Sequence, residues 1–181
     1  MQPRLTALYA NNALPYSYSG IKMHPENMTH ILSEIQNRIH KVSNNIFTTV
    51  LINQYRNGND SNGWHADNEK ELGKNPIIAS VSFGSDRFFH LKHREHKELR
   101  FKILLKSGSL FFMEGETQTH WLHQIAKTSQ PVGTRINLTF RRIIKNSTSI
   151  TSNNTLNKRR INIITKQIAV ISKAINFIIY N

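Results

Sequence analysis

A chain of 181 residues is long enough for one well-buried domain and short for two. Twenty-four Lys and Arg against eleven Asp and Glu give a formal charge of +13, which favours a polyanionic partner such as nucleic acid and argues against an acidic-surface role. With no cysteine, neither a disulfide framework nor a thiolate metal site is available, so any metal must be held by nitrogen and oxygen.

The charge is unevenly spread. All the acids lie at or before Glu116, so residues 1–116 carry +3 (14 minus 11) and residues 117–181 carry +10. Met1 to Ala13 lacks a basic region followed by an apolar core, and no run of about 20 apolar residues occurs, so neither a secretory signal nor a membrane span is expected. The expectation is an intracellular monomer, cytoplasmic in a bacterium and open to the nucleus in a eukaryote.

Pro25-Glu26 opens a segment in which Met28, Ile31, Leu32, Ile35 and Ile39 recur at steps of three and four, the pattern of a helix with one buried stripe. The period then changes to two. Ile46 to Tyr55, Ile77 to Phe83, Arg87 to Lys92, Leu99 to Leu105, Leu110 to Glu114 and Arg135 to Arg142 read as strands, separated by Asn-Gly, Gly-Ser and Pro-containing turns. One or two helices followed by many short strands predict an α+β, mainly β domain with a rolled or sandwiched antiparallel sheet. Residues 145–160, rich in Asn, Ser, Thr and Lys, read as a basic linker. Beyond it, Ile161, Ile164, Ile168, Ile171, Ile175 and Ile178 would align on one face of a helix, or belong to an irregular appendage. The expected division is therefore a domain over 1–144 and a tail over 145–181.

In an extended stretch residues i and i+2 project to one side, so His65 and Asp67 can reach a single ion. A lone His-x-Asp is a common accident. Its company gives it weight: His120 and His123 follow a strand that lets the chain double back, and His123, nearer the arginine strand, is the preferred third ligand, with His120 left to surface or supporting contacts. Two imidazoles and one carboxylate leave half of an octahedral shell open, which suits Fe(II) with O2 and an oxo-acid. In the arginine strand, alternation puts Arg135, Asn137, Thr139 and Arg141 on one face and Ile136, Leu138 and Phe140 on the other. Two guanidinium forks match the two carboxylates of a small dicarboxylate such as 2-oxoglutarate, although a basic edge strand is the plainer alternative. Asn53 and Tyr55, on one face of the strand leading to His65, could add an amide and a phenol to the same cosubstrate.

Ile52-Asn53-Gln54-Tyr55, Gly63-Trp64-His65-Ala66-Asp67-Asn68-Glu69, Pro76 to Gly84, His120-Trp121-Leu122-His123 and Arg135 to Arg141 together resemble the AlkB family of Fe(II)/2-oxoglutarate dioxygenases, most closely its duplex-DNA alkylation-repair branch. The likeness runs from about Pro3 to Ile143. It implies a double-stranded β-helix, or jelly roll, with His65, Asp67 and His123 as iron ligands and Asn53, Tyr55, Arg135, Thr139 and Arg141 holding 2-oxoglutarate. Tyr16 and Tyr18 match aromatic substrate-lid positions, and Asn68 and Glu69 match a base-contacting acidic pair.

The activity implied is oxidative demethylation of bases such as 1-methyladenine and 3-methylcytosine in DNA, with RNA a second candidate, releasing formaldehyde, succinate and CO2. Hydroxylation of a protein or small molecule, and nucleic-acid binding without catalysis, are the competing readings. The chain departs from the pattern in three places: Asn68 stands where that branch usually has aspartate, the chain begins almost at Pro3-Arg4 so that an upstream duplex-probing finger is expected to be missing, and nothing carries over to residues 145–181.

Overall fold

A computed structural model of the protein describes residues 3–12, 16–18 and 21–144, with the backbone alone at 16–18, 21 and 22. The Tyr16 and Tyr18 side chains, and the tail expected over 145–181, lie outside the described residues.

Among the described residues, twelve strands and two α-helices follow in the order β1 (Leu5–Ala10), β2 (Tyr16–Tyr18), β3 (Ile21–Met23), β4 (Glu26–Asn27), α1 (His30–Ser43), β5 (Thr49–Tyr55), β6 (Asn62–His65), β7 (Ile78–Gly84), β8 (Arg87–His93), β9 (Arg100–Leu105), β10 (Leu110–Met113), α2 (Thr117–His120), β11 (Trp121–Ile125) and β12 (Arg135–Arg141), with a 3₁₀ turn at Lys70–Leu72. A six-stranded sheet runs β10-β7-β12-β5-β1-β4, and a four-stranded sheet runs β6-β11-β8-β9. The short β2 and β3 pair as a separate hairpin. This two-sheet sandwich is the jelly roll expected from the sequence.

The helix begins later than the Pro25-Glu26 signal. Glu26 and Asn27 pair instead in parallel with Tyr9 and Ala10, and Thr29 caps α1 by accepting from the Leu32 amide. Asn44, at φ 53° in the left-handed region, ends it. Leu32 and Ile39 are buried as expected, but Ile31 is 68% exposed, a correction to the predicted stripe. Gln36 takes the inward position, its amide donating to the Phe47 carbonyl at 2.7 Å.

Two apolar layers result. Leu32, Ile39, Phe47, Val50, Ala79, Leu138 and Phe140 pack α1 onto the outer face of the six-stranded sheet. Leu51, Tyr55, Phe89, Leu91, Phe111, Met113 and Trp121 fill the space between the sheets. Strand β12 is central, hydrogen-bonded to β5 and β7 along its length. It is therefore no basic edge strand: its apolar face meets the helix layer and its polar face looks between the sheets. Among the described residues no helix is long and apolar enough to cross a membrane.

Candidate active site

Between the sheets lies a cleft of about 410 Å³, part of it open to solvent. Asn53, Tyr55, Arg135, Asn137, Thr139 and Arg141 line it from the larger sheet, and His65, Phe89 and His123 from the smaller one, with Asp67 on the segment after β6. Arg135 and Arg141 thus reach one cavity despite a separation along an extended strand of about 20 Å.

His65 and His123 are direct cross-strand partners, and Asp67 follows β6 by two residues. One ligand atom from each of the three lies within 4.8 Å of the others. The His65 Nε2 is 3.7 Å from Asp67 Oδ1. Its Nδ1 lies 2.7 Å from the Gly63 carbonyl, a contact that places the ring proton on Nδ1 and leaves Nε2 as the acceptor. The Asn62 amide currently meets that Nε2 at 3.1 Å. Phe89 stacks on His123 with ring centroids 5.2 Å apart and fixes its plane.

Burial sets the charge states. It pushes the His123 imidazole down to about 3, with His65 adding to the effect, and lowers His65 as well, so both rings are neutral near pH 7. Burial alone would raise Asp67, but the Arg141 guanidinium, helped by the two imidazoles, outweighs it and holds the carboxyl at about 2. Two neutral imidazoles and a carboxylate are the protonation states that metal coordination requires. Asp67 Oδ2 accepts from Arg141 Nη2 at 2.8 Å, while buried Asp67 Oδ1 has no hydrogen-bond partner. An oxygen left bare beside two imidazoles fits a cation.

The other end of the cleft is built for an anion. Arg135 is 1% exposed; its Nη2 donates to Ser82 Oγ at 2.9 Å, but Nε and Nη1 have no hydrogen-bond partner. Burial lowers its pKa, opposed by Tyr55, whose ring centroid is 5.3 Å from the guanidinium carbon. A desolvated guanidinium with two uncommitted donors fits a carboxylate. Arg4 Nε donates to Asn53 Oδ1 at 2.7 Å, which leaves the Asn53 NH2 as its donor towards the cleft. Thr139 Oγ1 donates to Asn137 Oδ1 at 3.1 Å, and Asn137 donates to Ser80 Oγ and the Val81 carbonyl, so Thr139 can only accept from the cleft.

Two supporting residues escaped the sequence reading. Gln118, 1% exposed, accepts from the Asp67 amide at 2.8 Å, and Arg4 orients Asn53 as described. A glutamine after a Gly-Glu turn carries no pattern that would single it out; Arg4, beside Pro3 at the start of the likeness, had a signal without a role. His120 stays out of the cleft, stacked parallel to His93 at 5.8 Å. Asn68 is exposed and Glu69 half-buried; neither is brought into the cleft wall.

Two histidines and one carboxylate gathered in one cleft with a buried guanidinium are the residue set of a candidate non-haem metal centre of the kind that takes an oxo-acid. Residues 4–141 match the family model described as the 2OG-Fe(II) oxygenase superfamily, and the chain belongs to that family. It is 43% identical over 151 residues to human alpha-ketoglutarate-dependent dioxygenase alkB homolog 3, covering 78% of this chain and 52% of the relative. It is 36% identical over 149 residues to human DNA oxidative demethylase ALKBH2, covering 78% and 57%, and 39% identical over 163 residues to the ALKBH2 of Arabidopsis thaliana, covering 77% and 50%. The chain spans about half the length of the curated relatives it matches. The solved structure of OsALKBH1 superposes with a TM-score of 0.53 at 20% identity, covering 66% of this chain and 68% of that one, and shares the fold.

Proposed function

We propose that the protein removes alkyl groups from nucleobases oxidatively, as an Fe(II)- and 2-oxoglutarate-dependent dioxygenase. The observation that carries this reading is the convergence of His65, Asp67 and His123 within 4.8 Å in a cleft that also holds the uncommitted donors of Arg135. His65 Nε2, Asp67 Oδ1 and one His123 ring nitrogen would hold the iron; Arg135, with Tyr55, the Asn53 amide and Arg141, would hold 2-oxoglutarate. Thr139 keeps Asn137 in place on the same wall. Bound iron with its cosubstrate and O2 supplies hydroxylation of a carbon–hydrogen bond, and an N-hydroxymethyl base falls apart to formaldehyde and the free base.

The chain's own part is to position and to exclude. Arg141 keeps Asp67 ionised, Gly63 keeps the His65 proton off the coordinating nitrogen, and Phe89 walls one side of His123. The names of the relatives favour DNA as substrate, and a charge of +13 suits binding to phosphates without regard to sequence. Tyr16 and Tyr18 as an aromatic lid, and Asn68 and Glu69 as contacts to a cationic lesion, complete the proposal.

The test is anaerobic loading with Fe(II) and 2-oxoglutarate, followed by O2 and mass analysis of oligonucleotides carrying one 1-methyladenine or 3-methylcytosine. Loss of the methyl group with matching succinate is expected, abolished in His65→Ala and Asp67→Ala. Succinate release on a peptide or a small molecule but on no methylated oligonucleotide overturns the reading.

A further inference from the structure

Alternation along β8 and β9 sends Phe89, Leu91, Phe101, Ile103 and Leu105 inward and turns Phe88, His90, Lys92, Arg100, Lys102 and Leu104 outward. Facing pairs on that outer surface are Phe88 with Leu104, His90 with Lys102 and Lys92 with Arg100. Trp64 joins them from edge strand β6. Lys92 Nζ lies 4.5 Å from the centroid of the Trp64 ring, and Lys102 Nζ lies 3.9 Å from that of Phe88. These contacts hold the ammonium groups along the sheet, yet Trp64 and Phe88 stay 36% and 43% exposed.

No strand of this sheet contains Asp or Glu. Cations and flat rings from β6, β8 and β9 therefore share this face, the Lys92–Trp64 contact reaching across Leu122 and Gln124 of β11, about 14 Å from edge to edge. At its β6 end it is continuous with the cleft, because Trp64 and His65 are neighbours on opposite faces of one strand.

Charge decides the occupant. Residues 145–181 carry six Lys and Arg and no acid, and a second copy would present the same positive stripe, so the chain itself supplies no complement. Phosphates for the cations and bases for the rings make a nucleic-acid strand the partner that uses both. We propose that the outer face of the β6-β11-β8-β9 sheet binds the sugar-phosphate chain flanking the base held in the cleft. The inference rests on the cleft being a nucleobase site, but the surface is tested without catalysis.

The experiment compares the full chain with the Lys92→Glu/Arg100→Glu/Lys102→Glu variant for binding to an unmodified single strand of about 20 nucleotides, to its duplex, and to phosphatidylserine vesicles, across a salt series. The neutral variant Lys92→Gln/Arg100→Gln/Lys102→Gln guards against misfolding by charge reversal. Arg38→Glu/Lys41→Glu/Lys74→Glu, exposed and outside this sheet, controls for net charge.

The sheet variants should lose about tenfold or more in oligonucleotide affinity, and the slope of log affinity against log salt should fall by about 2, three contacts at ~0.7 each on a single strand. The control should keep most of its slope. Quenching of the exposed tryptophan by the bound strand, lost in Trp64→Phe, places the strand on this face.

Unchanged affinity and slope in both sheet variants, an equal effect in the control, or loss confined to vesicle binding overturns the proposal. If the cleft acts on something other than a base, methylated oligonucleotides go unreacted while the slope result stands. The two failures are thus distinguishable.

Discussion

Arg141 and Asp67 bond at 2.8 Å where neither meets water, with 3% and 1% of their side chains exposed. Removing one partner of such a pair strands the other's charge, at a cost of about 3 kcal/mol or more. Arg141→Met should lower the unfolding free energy of the metal-free protein by that amount, and Mn(II) should restore part of it, since the ion supplies a positive neighbour to the same carboxylate. No recovery with metal would mean that Asp67 does not face the ion. Gln118→Ala leaves the buried Asp67 amide without its acceptor; a loss of about 1–3 kcal/mol is expected in the same denaturation assay, together with weaker metal binding by titration.

The histidines make a prediction of opposite sign to the usual surface case. Their folded pKa values lie below the unfolded value of about 6.5, His123 at about 3, so on acidification the unfolded chain takes up protons first. Their contribution is complete above about pH 6.5 and is lost as the pH falls towards 3, joined below about pH 4 by that of Asp67. Metal-free protein should show a thermal midpoint falling steadily over that range, and His123→Gln should flatten the upper part of the curve.

At the scale of elements, β7 ends and β12 begins at one tight crossing. Gly84 has φ +82°, and a Cβ there would sit 2.3 Å from the Thr134 carbonyl oxygen. Gly84 is also the register partner of Arg135. Gly84→Ala should destabilise by about 2 kcal/mol and, by moving the β12 backbone, weaken 2-oxoglutarate binding measured by titration calorimetry. Normal affinity would show that Arg135 is positioned from elsewhere.

Long apolar alternation made β5, β7, β8, β9, β10 and β12 readable from sequence, because each buries at least one face. Two of the strands that were missed, β6 and β4, have no such pattern. Asn62-Gly63-Trp64-His65 in β6 is polar at both ends and gains its place by pairing with β11, and β4 is two exposed residues held by β1. The closeness of His65 and Asp67 was legible because a His-x-Asp needs only local geometry. The Arg141–Asp67 bond was not, since residues 74 apart in sequence meet only through the stacking of two sheets. Ile31 was misplaced because a three-four step fits two adjacent helix faces, and Gln36, the buried choice, carries no apolar signal.

At the scale of the molecule, a catalytic unit of residues 1–144 is proposed. Its boundary is set by packing: Ile143 is buried in the inter-sheet core and the Ile144 amide donates to the Glu71 carbonyl at 2.8 Å. Truncation after 144 should leave the melting temperature and the turnover of a methylated trinucleotide unchanged, while removing six cations should lower the salt slope for long DNA. A truncated chain that aggregates or melts early would place the tail inside the folding unit.

The three proposed iron ligands do not belong to one layer. His65 and His123 stand on the four-stranded sheet, whereas Asp67 is tied through Arg141 to β12 of the other. An ion bound by all three acts as a rivet through the sandwich, and every opening of the layers must release it. Protease digestion should be slowed by Mn(II) and hastened by a chelator. Scarcity of iron would then shorten the lifetime of the polypeptide as well as idle the proposed activity, coupling both to metal supply through mechanical integrity.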